Sequence, residues 1–164
     1  MATTAVFGAI AGLLSLCRAY KEVPGSPLAN VNIFDGPVVL ESEYEHPDSL
    51  FIGDSGDDIP SGSSQQDFGP YGRTTGSRDE NGTILCTAES ASGDTDMSAR
   101  RARVAEIVGA VEDLVRQNVL ATSDPTLGGS VLWCRITNQE LRQSQTTEGA
   151  FAEMLFVVAF RARL

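Results

Sequence analysis

A serine becomes a nucleophile only when a base takes its proton and a carboxylate orients that base. The candidate here is Ser55, in Gly53-Asp54-Ser55-Gly56, and the single histidine of the chain is His46. His46 stands beside Pro47 in an acidic stretch and reads as a solvated side chain, not as the missing base. Asp54, Asp57 and Asp58 offer oxygens to a hard cation, which needs several ligands converging from a turn. The EF-hand alternation with its terminal Glu is absent, so these residues read as a solvated charge run and no metal is expected. Cys17, Cys86 and Cys134 lie far apart in apolar contexts. That spacing speaks against a disulfide framework or a zinc site and for small core hydrophobes in a reduced compartment. Trp133 and Arg135 share one strand face and could stack a base, but no basic groove accompanies them. Packing of Trp133 within or between subunits is the better reading. Asn81-Gly82-Thr83 matches the glycosylation sequon, here an accidental tripeptide without a credible secretion signal. No catalytic residue and no cofactor is expected.

Phe51-Ile52-Gly53-Asp54-Ser55 resembles the first block of GDSL-type esterases, and Gly53 to Gly56 the nucleophile segment of trypsin-like proteases. The esterases need a histidine near the C-terminus, where this chain has none. The proteases need a longer chain for their two barrels.

With 164 residues, 41% of them hydrophobic and 21% charged, the chain is long enough to bury a core and reads as one domain, 1–164. Its net charge is −10, and Lys21 is its only lysine. The arginines are scattered, mostly at Arg100, Arg101, Arg103, Arg116, Arg135, Arg142, Arg161 and Arg163. Binding through nucleic-acid phosphates needs a basic patch, so affinity for DNA is not expected. An acidic surface past which DNA slides is compatible with the charge.

Val6, Ile10, Leu13, Leu14 and Cys17 recur at helical spacing over Thr3 to Tyr20, with Thr3 or Thr4 as the cap. The apolar run Ala5 to Cys17 lacks a preceding Lys or Arg and a following cleavage site, and is too short to span a bilayer. It reads as a mature core helix. Asn30 to Leu40 is β-rich, with a turn or bulge at Asp35-Gly36-Pro37. Glu41, Glu43, Glu45, Asp48, Asp54, Asp57, Asp58 and Asp67 then follow without an intervening Lys or Arg. Residues 41–80 read as a long acidic Gly/Ser-rich loop region, interrupted by one short strand at Leu50-Phe51-Ile52. A strand is expected over Thr83–Ser90. A helix follows, with Val104, Ile107, Val108, Val111, Leu114 and Val115 on one stripe, ending near Asn118. A strand runs from about Ser130 to Thr137, and Asn138 to Glu148 is either a hairpin loop or a polar strand. The chain closes with a strand from about Ala150 to Arg163, in which Met154, Phe156, Val158 and Phe160 alternate with Glu153, Leu155, Val157 and Arg161. The order predicts an α+β fold: a mixed, mostly antiparallel sheet with two helices packed on one face, plus the acidic loop.

Read together, the second half carries a connected series: Ser92-Gly93-Asp94-Thr95-Asp96, the Arg100–Arg116 helix, Leu127-Gly128-Gly129, Val131-Leu132-Trp133, Leu141 to Thr146, and Val157 to Leu164. With Phe34-Asp35-Gly36-Pro37 and Leu50-Phe51-Ile52-Gly53 before it, the series resembles the tail terminator proteins of siphophages infecting actinobacteria. The resemblance covers most of residues 30–164 and rests on order and spacing. It implies an α/β fold and a six-membered ring on the last ring of the tail tube. That ring would stop tube polymerisation and present the docking surface for the head connector, with DNA passing through the lumen and no catalysis. The partners implied are further copies of the chain, the tail tube protein and the head-closure or connector protein, and the location implied is the virion, after assembly in the host cytoplasm. The first helix is more apolar than the family suggests.

A closed ring joins two different faces of one subunit. Because the last strand is half-apolar on both faces, with Leu155, Val157 and Phe151 backing the core side, a neighbouring subunit is expected to cover its second one. Phe151, Leu155, Val157, Trp133, Arg142, Gln143 and Gln145 are the expected interface. Glu41, Glu43, Glu45, Asp54, Asp57 and Asp58 are expected to face the lumen or a partner. The rival readings are another neck component, an esterase using Ser55, and a monomeric acidic adaptor.

Overall fold

The structure is a computed structural model, described for residues 3–42, 44–54, 59–68 and 78–164. In chain order its elements are α1 (Val6–Lys21), β1 (Asn32–Asp35), β2 (Asp48–Ile52), β3 (Gly62–Phe68), β4 (Arg78–Ser92), α2 (Met97–Val115), β5 (Trp133–Thr146) and β6 (Gly149–Arg163). The architecture is α+β. One six-stranded sheet runs in the order β1-β2-β4-β6-β5, with β3 also paired to β4. β1 and β2 are parallel and all other pairs antiparallel.

The alternation in β6 produces the core directly. Phe156, Val158 and Phe160 stand opposite Cys86, Ile84 and Gly82 of β4 and face the helices. Leu50 and Ile52 of β2 extend that apolar face. The α2 stripe from Val104 to Val115 is buried against it, and each such side chain contributes about 1.5–3 kcal/mol by leaving water. Asp96 caps α2, its carboxylate accepting from the Ala99 amide at 3.0 Å.

α1 packs on the same face through Ala9, Leu13, Leu14 and Cys17. Its partner beyond the sheet is the loop after α2. Leu127 is buried against Gly12, where a Cβ would come within 2.4 Å of the Leu127 carbonyl oxygen. A Cβ at Gly8 would lie 3.4 Å from Ser130, so the small residues of this apolar helix form the seat for residues 127–130. The cap of α1 is not simply a threonine. Thr4 Oγ1 accepts from the Val6 amide at 3.2 Å and itself donates to Glu80. The Glu80 carboxylate of β4 also accepts from the Ala5 amide.

Two stretches differ from the sequence expectation. Gly62–Phe68, expected as loop, is strand β3. Its polar residues carry no period-2 apolar signal, and pairing to the long β4 holds it, with Ser63 and Thr83 hydroxyls 2.8 Å apart. β4 spans Arg78–Ser92, beyond the expected Thr83–Ser90. The polar stretch after Thr137, for which the sequence left a hairpin loop or a polar strand open, is the strand: β5 continues to Thr146 along β6.

β2 and β3 lie end to end on one side of β4. The Gly53 amide donates to the Leu85 carbonyl at 2.9 Å and the Leu85 amide to the Ser61 carbonyl at 3.0 Å. The chain therefore leaves the sheet after Ile52 and returns at Gly62 beside a single residue of β4.

Candidate interaction surface

The face of the sheet away from the helices carries Phe51, Leu85, Thr87, Glu89, Phe151, Glu153, Leu155 and Val157. Phe34 stacks on Phe51 with ring centroids 5.0 Å apart, and His46 tilts against Phe34 at 5.5 Å. Val38 and Leu40 border one hollow with Phe51 and Glu89. The Tyr44 hydroxyl lies 3.3 Å from Thr146 Oγ1 at the end of β5. Residues 36–42 and 44–47 thus cross this face from the β1 side toward β5. Phe151 and Leu155, at 8% and 7% exposure, are buried within a single chain, and Val157 is half-buried. The cover expected from a neighbour is in part supplied by the chain itself. An opening remains where exposed Ile59 borders Leu85, Leu155 and Val157.

Among the described residues β5 pairs with β6 alone and leaves its outer edge open, and Thr137 to Thr146 are all exposed. Between Ile136 and Asn138 the register shifts by a bulge at Thr137. An extra residue reverses the parity of a strand beyond it. Arg142 therefore shares a face with Glu153 and reaches Glu140 at 3.0 Å and Glu153 at 3.8 Å. Gln143 points to the helix side, its Oε1 accepting from Arg101 at 2.9 Å. Gln145 is on that side too and donates to the Thr146 carbonyl. The expected interface residues of β5 are thus gathered on one exposed strand but split between its faces.

At the start of β5, the Arg135 guanidinium lies 5.0 Å from the centre of the Trp133 ring, a cation–π arrangement. Trp133 borders a hollow of about 450 Å³ with Val119, Leu132, Arg116 and Arg135, at the end of α2. Arg116, Val119 and Leu132 were not singled out as an interface from sequence, because the loop that folds Val119 beside Leu132 has no periodic signal.

Of the acidic residues, Glu41 and Glu45 are exposed and Asp54 is half-buried. Glu43, Asp57 and Asp58, together with Ser55, lie outside the described residues. His46 is 3.9 Å from Glu45. Elsewhere, hydrogen bonds from Arg163 and Arg161 hold the Asp79 carboxyl below its ordinary range. Asp48 accepts from Arg103 at 2.8 Å and from Ser90 at 2.7 Å, fastening β2 and β4 to α2. All three cysteines are free and buried. Burial pushes the Cys86 and Cys134 thiols up to about 12 and Cys17 higher still.

Among the described residues no three His, Cys, Asp or Glu side chains cluster to hold a metal. No helix among them is long and apolar enough to cross a membrane. No model of a known protein family matches the chain, and no curated protein matches it either.

Proposed function

We propose that this chain is a virion structural protein, a tail terminator. Six copies form a ring that caps the tail tube, stops its polymerisation and offers the docking surface for the head connector. The chain acts by assembly rather than by catalysis. The observation that carries this reading is the outer edge of β5, open among the described residues, on a strand of 14 residues with exposed side chains on both faces. A long open edge is a template for a second chain. In a head-to-tail ring each copy covers its neighbour's surface with a different one of its own.

Three further features support it. The segments of the family-like series follow one another along the chain as α2, the turn at Leu127-Gly128-Gly129, β5 and β6, and α2 packs on both strands. In that turn Leu127, Gly128 and Gly129 have φ values of 51°, 71° and 82°, left-handed backbone that the two glycines adopt without strain. The net charge of −10 suits a lumen through which DNA passes without sticking. The partners are the tail tube protein on one side of the ring and the head-closure or connector protein on the other.

Electron microscopy of particles grown with this gene interrupted tests the proposal. Overlong, headless tubes are the expected outcome. Tails of normal length beside DNA-leaking heads would assign the chain to the head side of the neck instead.

A further inference from the structure

We infer that two separate surfaces of this chain are the two halves of one contact between copies: the Trp133–Arg135 corner of β5 receives the Val39–Glu41 segment of the next copy. The inference rests on the ring reading above and names its interface.

The first surface is apolar with a positive rim. Trp133, Leu132 and Val119 are 37%, 50% and 44% exposed around the hollow at the end of α2. Arg116 and Arg135 edge it. Arg116 already has Glu112 at 3.7 Å, whereas Arg135 lies over Trp133 and makes no ion pair among the described residues. The second surface is apolar with a negative charge. Val39 is 100% exposed, and Glu41, two positions on, is exposed and makes no ion pair among the described residues.

Each surface therefore lacks what the other provides: an apolar side chain for an apolar hollow, and a carboxylate for a guanidinium. They do not meet within one copy. Val39 follows β1 and Trp133 opens β5, the first and last strands of the sheet. The crossing segment touches β5 at Thr146, the end opposite Trp133, and a strand of that length separates its ends by roughly 40 Å. A contact between different surfaces of successive copies is heterologous, the kind that closes rings. Burial of Val39 and Trp133 supplies attraction, while the Glu41–Arg135 pair fixes orientation and excludes wrong partners.

The test is sedimentation velocity on the full chain over a wide concentration range. The variants are Arg135→Glu, Glu41→Arg and their equal mixture, with circular dichroism confirming that each is folded. Wild type is expected to form a discrete oligomer and each single variant to lose it, because like charges then face each other. The mixture is expected to regain the oligomer, since every contact in an alternating assembly again joins opposite charges. Single variants that assemble like wild type, or wild type that stays monomeric throughout, would overturn the contact. The first of these leaves the ring reading standing. Conversely, regained assembly in the mixture, combined with normal tails when the gene is interrupted, would keep the contact and remove the terminator reading.

Discussion

The Ala5 amide donates to the Glu80 carboxylate at 2.7 Å across 75 positions of sequence. A strand residue thereby satisfies the N-terminal donors of a distant helix, where negative charge is also favoured by the helix dipole. Glu80 is fully buried. Burial alone would raise its pKa, but hydrogen bonds from Ser64, Thr4 and Ala5, with the charge of Arg78, outweigh that and bring it below the ordinary 4.5.

A carboxyl whose pKa is depressed by folding contributes stability above its unfolded pKa and loses that contribution as pH falls through the folded one. Glu80→Gln should therefore destabilise the chain by about 1–3 kcal/mol near neutrality. The gap between variant and wild type should narrow in acid, below the ordinary glutamate range. Urea midpoints at several pH values measure this. A gap that stays constant with pH would show that the charge of Glu80 does not matter.

Two helical glycines should respond to alanine with opposite signs. In an open helix position the replacement stabilises by about 0.5–1 kcal/mol, and a Cβ at Gly109 meets nothing within 4 Å. At Gly12 the same Cβ meets backbone of Leu127 at 2.4 Å. Gly12→Ala should cost about 1–3 kcal/mol and Gly109→Ala should raise the melting temperature. Thermal denaturation of the two variants decides the matter.

The native thiols should be inert. Cys17, Cys86 and Cys134 are buried, and their raised pKa values leave almost no thiolate at mildly alkaline pH. A colorimetric thiol reagent should label none of them in the folded chain and all three after denaturation. Rapid labelling of the native chain would place one of them outside the core.

Leu155 and Val157 separate folding from assembly. Leu155 is buried within one chain and Val157 is half-buried. Leu155→Asp should unfold the chain, because an unpaired charge is costly to bury. Val157→Asp should remain folded by circular dichroism and lose the proposed ring. Intact assembly of the Val157 variant would count against this face as interface.

The parts of the fold that sequence shows plainly are those where one face is buried and the other is not. β6 and α2 repeat their apolar residues at the strand and helix periods, and both lie where those periods put them. β3 is invisible by the same logic, since Gly62 to Phe68 buries no side chain fully and leans on its neighbour. The bulge at Thr137 is a single inserted position with no residue type to betray it, yet it decides which way Arg142 and Gln143 point. The candidate surface was legible in part. Trp133 stood out by type, whereas Val119, Leu132 and Val39 look like core residues until the fold leaves them outside.

Leu85 receives the chain as it leaves the sheet after Ile52 and again as it comes back at Gly62. Asp54 and Ser61 are thereby both fastened to one position of β4, a clasp that holds the two ends of the connection together. Doubling the length of such a connection costs only about 0.6 kcal/mol in closure entropy. The chain thus has a built-in port: an epitope or a small labelled peptide can be grafted there while the strands on either side keep their register.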